Sequence, residues 1–235
     1  MTPKQIEFDR MFILELANNH MGDVEHGIKT IRVFADICRD FNFQFAFKLQ
    51  YRNLETFIHP EYKGRKDIKY VKRFEETYIS EDNFKRLKDE IINNNFIAIC
   101  IPFDEKSVDL IEKHQYDIIK IGSCSFTNWP LLERIVQTNL PIIASTASAT
   151  LEEIDRVITF FEHRNKKICI MHCVGEYPTL NQNLQLNQIS FLRKCYPEIA
   201  IGFSTHEEPD NFVPIKIAIA KGAKVFERHV ALETE

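Results

Sequence analysis

Glycine is scarce in this chain, with 7 residues in 235. No glycine-rich turn follows the first apolar run, which argues against a backbone cradle for nucleotide phosphates. Glycine- or serine-rich linkers are also missing, so nothing in the composition splits residues 1–235 into separate units. No apolar run reaches the ~18 residues that would suggest a membrane span. The opening "MTPKQIEFDR" has no apolar core of a secretory signal. Paired cysteines are absent: the six, at 38, 100, 124, 169, 173 and 195, form no Cys-x-x-Cys. They are expected to be reduced and mostly buried, as in a cytoplasmic protein. A net charge of −4 leaves no broad basic surface for nucleic acid or an anionic membrane.

What the chain does have is alternation. Short β-rich runs recur at Phe12–Ala17, Gln44–Leu49, Phe96–Ile101, Asp117–Ile121, Pro141–Ala144, Lys167–His172, Ile199–Ser204 and Val225–Arg228. Amphipathic helical runs such as "VEHGIKTIRVFADICRDF" and "TLEEIDRVITFFEHR" lie between them. Strand–helix alternation implies a parallel sheet with helical crossovers. Eight such units close most simply into an α/β fold of the (β/α)8 TIM-barrel type, with a doubly wound open sheet as the alternative. Residues 51–80 read as a long loop after the second strand, partly helical near its end. The chain ends six residues past His229, too soon for an eighth helix. One barrel domain over 1–235, truncated at its C-terminal end, is therefore expected. Val225 or Phe226 and the outward side of the first strand would then face water. Association as a homodimer, or cover from a further C-terminal segment, would relieve that exposure.

Barrel enzymes place their chemistry at the C-terminal ends of the strands. Here those ends carry Glu15, Lys48 with Gln50, Asp104, Lys120, Ser145, His172, His206, and Glu227 with His229. Two inward lysines suit an anion such as phosphate or carboxylate, and the reading places one between Lys48 and Lys120. His206 and His229 suit a divalent transition metal with open positions, bound through ring nitrogens at roughly 2.0–2.3 Å. Glu15 and Glu227 can orient hydroxyls or move protons. Cys173 reads as a buried structural thiol and His172 as a hydrogen-bonding pocket wall. The basic residues Lys63, Arg65, Lys66, Lys69, Lys72 and Arg73 read as a solvated lid surface. The set points to lyase or synthase chemistry on a phosphorylated or sugar-like substrate.

The strand-end motifs, in order, resemble the sialic acid synthase family. They are "LELANNHMG" with Glu15, Asn19, His20 and Gly22; Lys48-x-Gln50; Pro102-Phe103; "KIGS" followed by "TNWPLL"; "PIIASTASATLEEI"; "MHCVGEYPT"; "IGFSTH"; and "GAKVFERHVAL". The resemblance runs from about Phe12 to Leu232. It implies a synthase that condenses phosphoenolpyruvate with the aldehyde of an N-acetylated amino sugar. The enol carbon attacks the aldehyde, water attacks the resulting cation, and phosphate leaves by C–O cleavage. It further implies Glu15, Lys48, Lys120 and Glu227 as catalytic groups, and Gln50, Ser123, Ser145, Tyr177 and Ser204 as substrate contacts. His206 and His229 would hold a divalent metal, manganese or magnesium. In this family a C-terminal segment completes the barrel and often adds a small domain that reaches a partner subunit's site. Four positions depart from the pattern. Ile101 and Ser125 stand where a hydroxyl and an acid are usual, Gly175 replaces a polar residue, and Thr205 replaces an aspartate. The metal and lysine framework is kept while the sugar pocket differs. Two other functions fit the same residues: a metal-dependent sugar-phosphate aldolase or isomerase, and a catalytically weakened sugar-binding barrel.

Overall fold

Isoleucine-, phenylalanine- and alanine-rich runs form the strands, and their pairing closes a ring. The computed structural model describes residues 6–233. The strands are β1 (Met11–Glu15), β2 (Gln44–Tyr51), β3 (Ile97–Pro102), β4 (Ile118–Ile121), β5 (Ile142–Ser145), β6 (Ile168–Cys173), β7 (Ala200–Ser204) and β8 (Val225–His229). Each pairs in parallel with the next, and β8 closes on β1. The barrel expected from the alternation is the fold observed.

Between strands run α1 (Val24–Cys38), α2 (Leu54–Phe57), α3 (Lys69–Glu76), α4 (Glu81–Asn93), α5 (Glu105–Lys113), α6 (Trp129–Ile135), α7 (Leu151–Glu162), α8 (Asn187–Cys195) and α9 (Val213–Ala220). Local sequence sets their starts. Asp23 accepts the Glu25 N–H at 2.8 Å, and Thr150 and Glu153 cap each other reciprocally at the head of α7. Residues 51–80 are more ordered than a loop: Tyr51 ends β2, and α2 and α3 follow. Among the described residues no helix follows β8.

Period-two alternation divides the apolar residues into two cores. Met11, Ile13, Ala46, Ile99, Ile118, Ile143, Met171 and Val225 fill the barrel interior. Phe47, Leu49, Ile119, Ile121, Ile170 and Phe203 face the helices. Gly202 lies where β7 approaches β8 closely: a Cβ there would come within 2.6 Å of the Val225 carbonyl oxygen. Of the surface expected to face water, neither Val225 nor Phe226 does, while Phe12 and Leu14 on the outward side of β1 are half-buried. Val225 points into the barrel, and Phe226 is buried under Phe12, whose ring stacks on it at 5.4 Å. Phe12 in turn meets Phe43 and Phe45, and it is Phe43 that is open to water.

Candidate active site

The apolar floor of the barrel ends one layer below the strand termini. Above it the inward positions become polar: Glu15 on β1, Lys48 on β2, Lys120 on β4, Ser145 on β5, Ser204 on β7 and Glu227 on β8, all buried. Register brings them together, since Glu15 is opposite Lys48 and Ser204 opposite Glu227. Lys48 Nζ contacts the Glu15 carboxylate and donates to Glu227 Oε2 at 2.7 Å. Lys120 Nζ is 3.0 Å from each oxygen of the same Glu227, and Ser204 Oγ donates to Glu227 Oε1 at 2.8 Å. The two lysines therefore do converge inside the barrel, but the anion between them is the carboxylate of Glu227. An external anion is not required to hold the two ammonium groups together.

Two ammonium groups and two carboxylates make a charge-balanced cage, the arrangement that burial of charge demands. Desolvation alone would push the Glu227 carboxyl up. Lys120 and Lys48 outweigh it and hold Glu227 ionised, well below the usual carboxylate range. Burial pulls Lys48 down to about 7, against the opposing pull of Glu227. Cys173, across β6–β7 register from Ser204, is a buried thiol whose pKa burial raises, which fits the structural reading. All six cysteines are free; Cys124 and Cys195 are exposed and the other four buried.

His206 and His229 stand above the cage, with ring centroids 5.7 Å apart. His206 Nδ1 donates to the Val174 carbonyl at 3.0 Å, so its Nε2 lone pair faces the mouth and accepts from the Tyr177 hydroxyl at 2.7 Å. Tyr177 lies over His206 with ring centroids 3.9 Å apart. Desolvation, then Lys48 and the neighbouring His206, bring His229 down to about 4; burial lowers His206 as well. Both rings are neutral near pH 7. A cavity of about 630 Å³ opens here, lined by Asn19, Tyr177, Thr205, His206, Glu207 and His229 among others. A second cavity, of about 550 Å³, lies at the opposite end of the strands beside Phe8 and Arg193 and contains none of these groups.

Other expected residues are placed as follows. Gln50 Nε2 donates to Glu15 Oε1 at 3.3 Å, at the edge of the cage. Ser123 Oγ accepts the Ala147 N–H at 3.1 Å, and the buried Ser145 Oγ has no protein partner. Two strand-end residues do not join the mouth. Asp104 caps α5, accepting from Ser107 N–H, and also ties down Asn53 N–H, both at 2.8 Å. His172 points outward to the helical layer, hydrogen-bonded to the Leu184 carbonyl at 2.8 Å and stacked on Phe203. The lid lysines and arginines are exposed, as expected of a solvated surface. Of the departures, Ile101 is buried and in register with Gln50, Ser125 is buried, and Thr205 has a buried hydroxyl without a partner.

Two residues escaped the sequence reading. Glu207, next to His206, is a buried carboxylate with neither oxygen hydrogen-bonded, and burial raises its pKa. Arg52 donates to Gln50 Oε1 at 2.5 Å from between two aromatic rings. The signal for Arg52 was its spacing, since 48, 50 and 52 share one phase of the alternation.

This geometry has relatives. The profile of the NeuB family matches residues 44–235. The chain belongs to the NeuB family. It is 31% identical over 232 residues to the N-acetylneuraminate-9-phosphate synthase of Drosophila melanogaster, covering 96% of this chain and 61% of that protein. The chain thus spans about three fifths of the length of that curated relative. Among solved structures, a Chromobacterium violaceum protein provisionally named spore coat polysaccharide biosynthesis protein E superposes with a TM-score of 0.94 at 57% identity. That match covers 96% of this chain and 67% of the other. The N-acetylneuraminic acid synthetase of Leptospira borgpetersenii, solved with citrate, gives a TM-score of 0.83 at 26% identity, covering 99% and 78%. Membership accounts for the barrel and for the order of the strand-end motifs. Among the described residues of this NeuB-family chain, no helix is long and apolar enough to cross a membrane.

Proposed function

We propose that this chain carries the catalytic barrel of a synthase joining phosphoenolpyruvate to the open-chain aldehyde of an N-acetylated amino sugar, giving a nonulosonic acid and phosphate. The observation that carries the reading is the lysine–glutamate cage directly beneath a pair of neutral histidines in one mouth. Phosphoenolpyruvate brings a carboxylate and a phosphate, and Lys48 and Lys120 are the buried cations able to take them. The unpartnered Ser145 hydroxyl and the Ser123 hydroxyl would complete a donor set for those oxygens, joined by Ser204 once its proton is released from Glu227.

The chemistry then runs in balance. The methylene carbon of phosphoenolpyruvate forms a bond to the aldehyde carbon, and the aldehyde oxygen takes a proton to become a hydroxyl. Water adds to the cationic carbon, which still carries the phosphate, and gives up a proton. Phosphate then leaves with the bridging oxygen as the new hydroxyl gives up its proton, and the keto acid forms. Glu15, turned to Lys48, would receive the proton from water, and Glu227, held ionised by both lysines, would orient hydroxyls. Tyr177 and Asn19 line the cavity that would take the sugar, and Gln50 stands beside Glu15 at the edge of the cage.

Two neutral imidazoles suit a divalent ion, with the Tyr177 hydroxyl giving way at His206 Nε2; among the described residues no third His, Cys, Asp or Glu joins the pair. His206 has its Nδ1 fixed by a carbonyl, the usual support for an imidazole ligand, and both rings are neutral. His206 and His229 would hold manganese or magnesium, and such an ion when bound supplies Lewis-acid polarisation of the aldehyde oxygen.

The test is phosphate release from phosphoenolpyruvate by the full chain, with a panel of N-acetylated hexosamines, with and without manganese. Release that needs both the sugar and the metal is expected. Phosphate release without any acceptor, or cleavage of sugar phosphates with phosphoenolpyruvate untouched, would overturn the reading.

A further inference from the structure

The polar chain of the site does not end at Gln50. Arg52 Nη2 donates to Gln50 Oε1 at 2.5 Å, Gln50 Nε2 donates to Glu15 Oε1 at 3.3 Å, and Glu15 contacts Lys48. Glu15 Oε1 also accepts the Ala17 N–H at 2.7 Å, so Oε2 is the oxygen turned to Lys48. A side-chain amide can present either end to a neighbour. Here only one orientation works. A guanidinium has donors alone and a carboxylate has acceptors alone, so the amide oxygen must face Arg52 and the amide nitrogen must face Glu15. The reverse orientation would oppose donor to donor and acceptor to acceptor. Arg52 thereby sets the direction of the chain that reaches the cage.

Arg52 is itself held in an unusual way. Its Cζ lies 4.4 Å from the ring centroid of Phe74 and 4.0 Å from that of Phe103. No described carboxylate forms an ion pair with it; its remaining side-chain contact is Asn18 Oδ1 at 3.4 Å, and its Nε has no partner. A guanidinium between two aromatic faces is fixed in plane by cation–π attraction and stacking. Phe74 belongs to α3, and Phe103 follows β3. Phe57 of α2 meets both rings edge-on, at 5.7 and 5.8 Å. The excursion after β2 therefore supplies one wall of the sandwich that aims Arg52 at Gln50.

We propose that Arg52 is a positioning residue: seated between Phe74 and Phe103, it orients the Gln50 amide and through it Glu15. The inference rests on the reading above, which puts Gln50 and Glu15 at the reacting centre. Misplacing an oriented group by about 1 Å can cost about 10²-fold in rate. Arg52→Met keeps much of the stem and removes the fork. It is expected to lower kcat by about 10²-fold while the KM for phosphoenolpyruvate changes by less than about threefold. Arg52→Lys keeps the charge without the planar fork, and should recover only a small part. The decisive readout is coupling. In a Gln50→Ala background, Arg52→Met should cost less than about twofold more, because the two losses are one loss. If Arg52→Met costs the same factor in both backgrounds, the residue is merely structural and the proposal fails.

A second measurement does not depend on turnover. The side-chain amide signal of Gln50, identified by its disappearance in Gln50→Ala, should show solvent exchange at least about tenfold slower in the wild-type chain than in Arg52→Lys. Equal exchange in the two chains would overturn the proposal. A wild-type chain that releases no phosphate from phosphoenolpyruvate would defeat the synthase reading, and the exchange measurement would still decide the role of Arg52.

Discussion

Replacing Glu227 with glutamine changes one charge inside the barrel and little else. The carboxylate accepts from Lys48 at 2.7 Å, from Lys120 at 3.0 Å and from Ser204 at 2.8 Å. Glutamine has nearly the same shape, so packing is kept. What is lost is the anion shared by two ammonium groups that are 2% and 1% exposed. Glu15 is then left as the carboxylate of the cage, which passes from balanced to net positive. Removing one partner of a buried ion pair typically costs about 3–5 kcal/mol. In a chain of this size each kcal/mol moves Tm by about 2–4 °C, so Glu227→Gln should melt about 6–20 °C below the wild type. The unmatched charge also makes a prediction about ligands. Phosphate at about a hundred times its Kd would return about 2.7 kcal/mol, and it should do so at lower concentration in the variant than in the wild type. Thermal melts of both chains across a phosphate titration test this. A variant within about 2 °C of the wild type, or equal phosphate stabilisation of both, would refute the claim that Glu227 is the internal counter-ion of Lys48 and Lys120.

Other consequences follow from the same geometry. His206→Ala should remove manganese binding measured by calorimetry, and with it any metal-stimulated turnover; undiminished binding would reassign the ligand. Gly202→Ala should destabilise by about 1–3 kcal/mol or more, because a Cβ meets the Val225 carbonyl oxygen at 2.6 Å; an unchanged denaturant midpoint would contradict this. His20 is buried, its Nδ1 accepts the Gly22 N–H at 3.1 Å, and desolvation with a contribution from Arg52 lowers its pKa to about 4. Its contribution to stability is therefore complete above the unfolded value of about 6.5, and it is lost as pH falls from there towards 4. His20→Asn should flatten the fall in stability between pH 6.5 and 4 relative to the wild type, as read from urea unfolding at several pH values; parallel profiles would reject the assignment.

The barrel and most of its mouth are legible in the sequence because alternation is a strong signal. Period two places Glu227 and His229, and Lys48 and Gln50, on one face, and the structure puts them there. Phase is harder where a strand is apolar on both faces. In "ICIMHC" nothing local says whether Met171 or His172 points inward, and it is Met171 that does. Asp104 looked like a mouth residue because it follows a strand, but a carboxylate just before a helix serves equally well as a cap, and that is its role. The lysines were expected to need an outside anion. That Glu227 supplies it depends on three strands meeting across the barrel, which no local pattern encodes. Arg52 lay in phase with Lys48 and Gln50, but its two aromatic walls come from residues far along the chain.

The central claim is that the mouth of this barrel cleaves the C–O bond of phosphoenolpyruvate while forming a carbon–carbon bond to a sugar aldehyde. Phosphoenolpyruvate labelled with oxygen-18 at the bridging position, incubated with the full chain, manganese and an accepted N-acetylated hexosamine, reports on this directly. C–O cleavage leaves the label in the released phosphate, measured by mass spectrometry, and phosphate should form only together with the condensed keto acid. Unlabelled phosphate, with the heavy oxygen carried into pyruvate, would mean attack at phosphorus and would contradict the account.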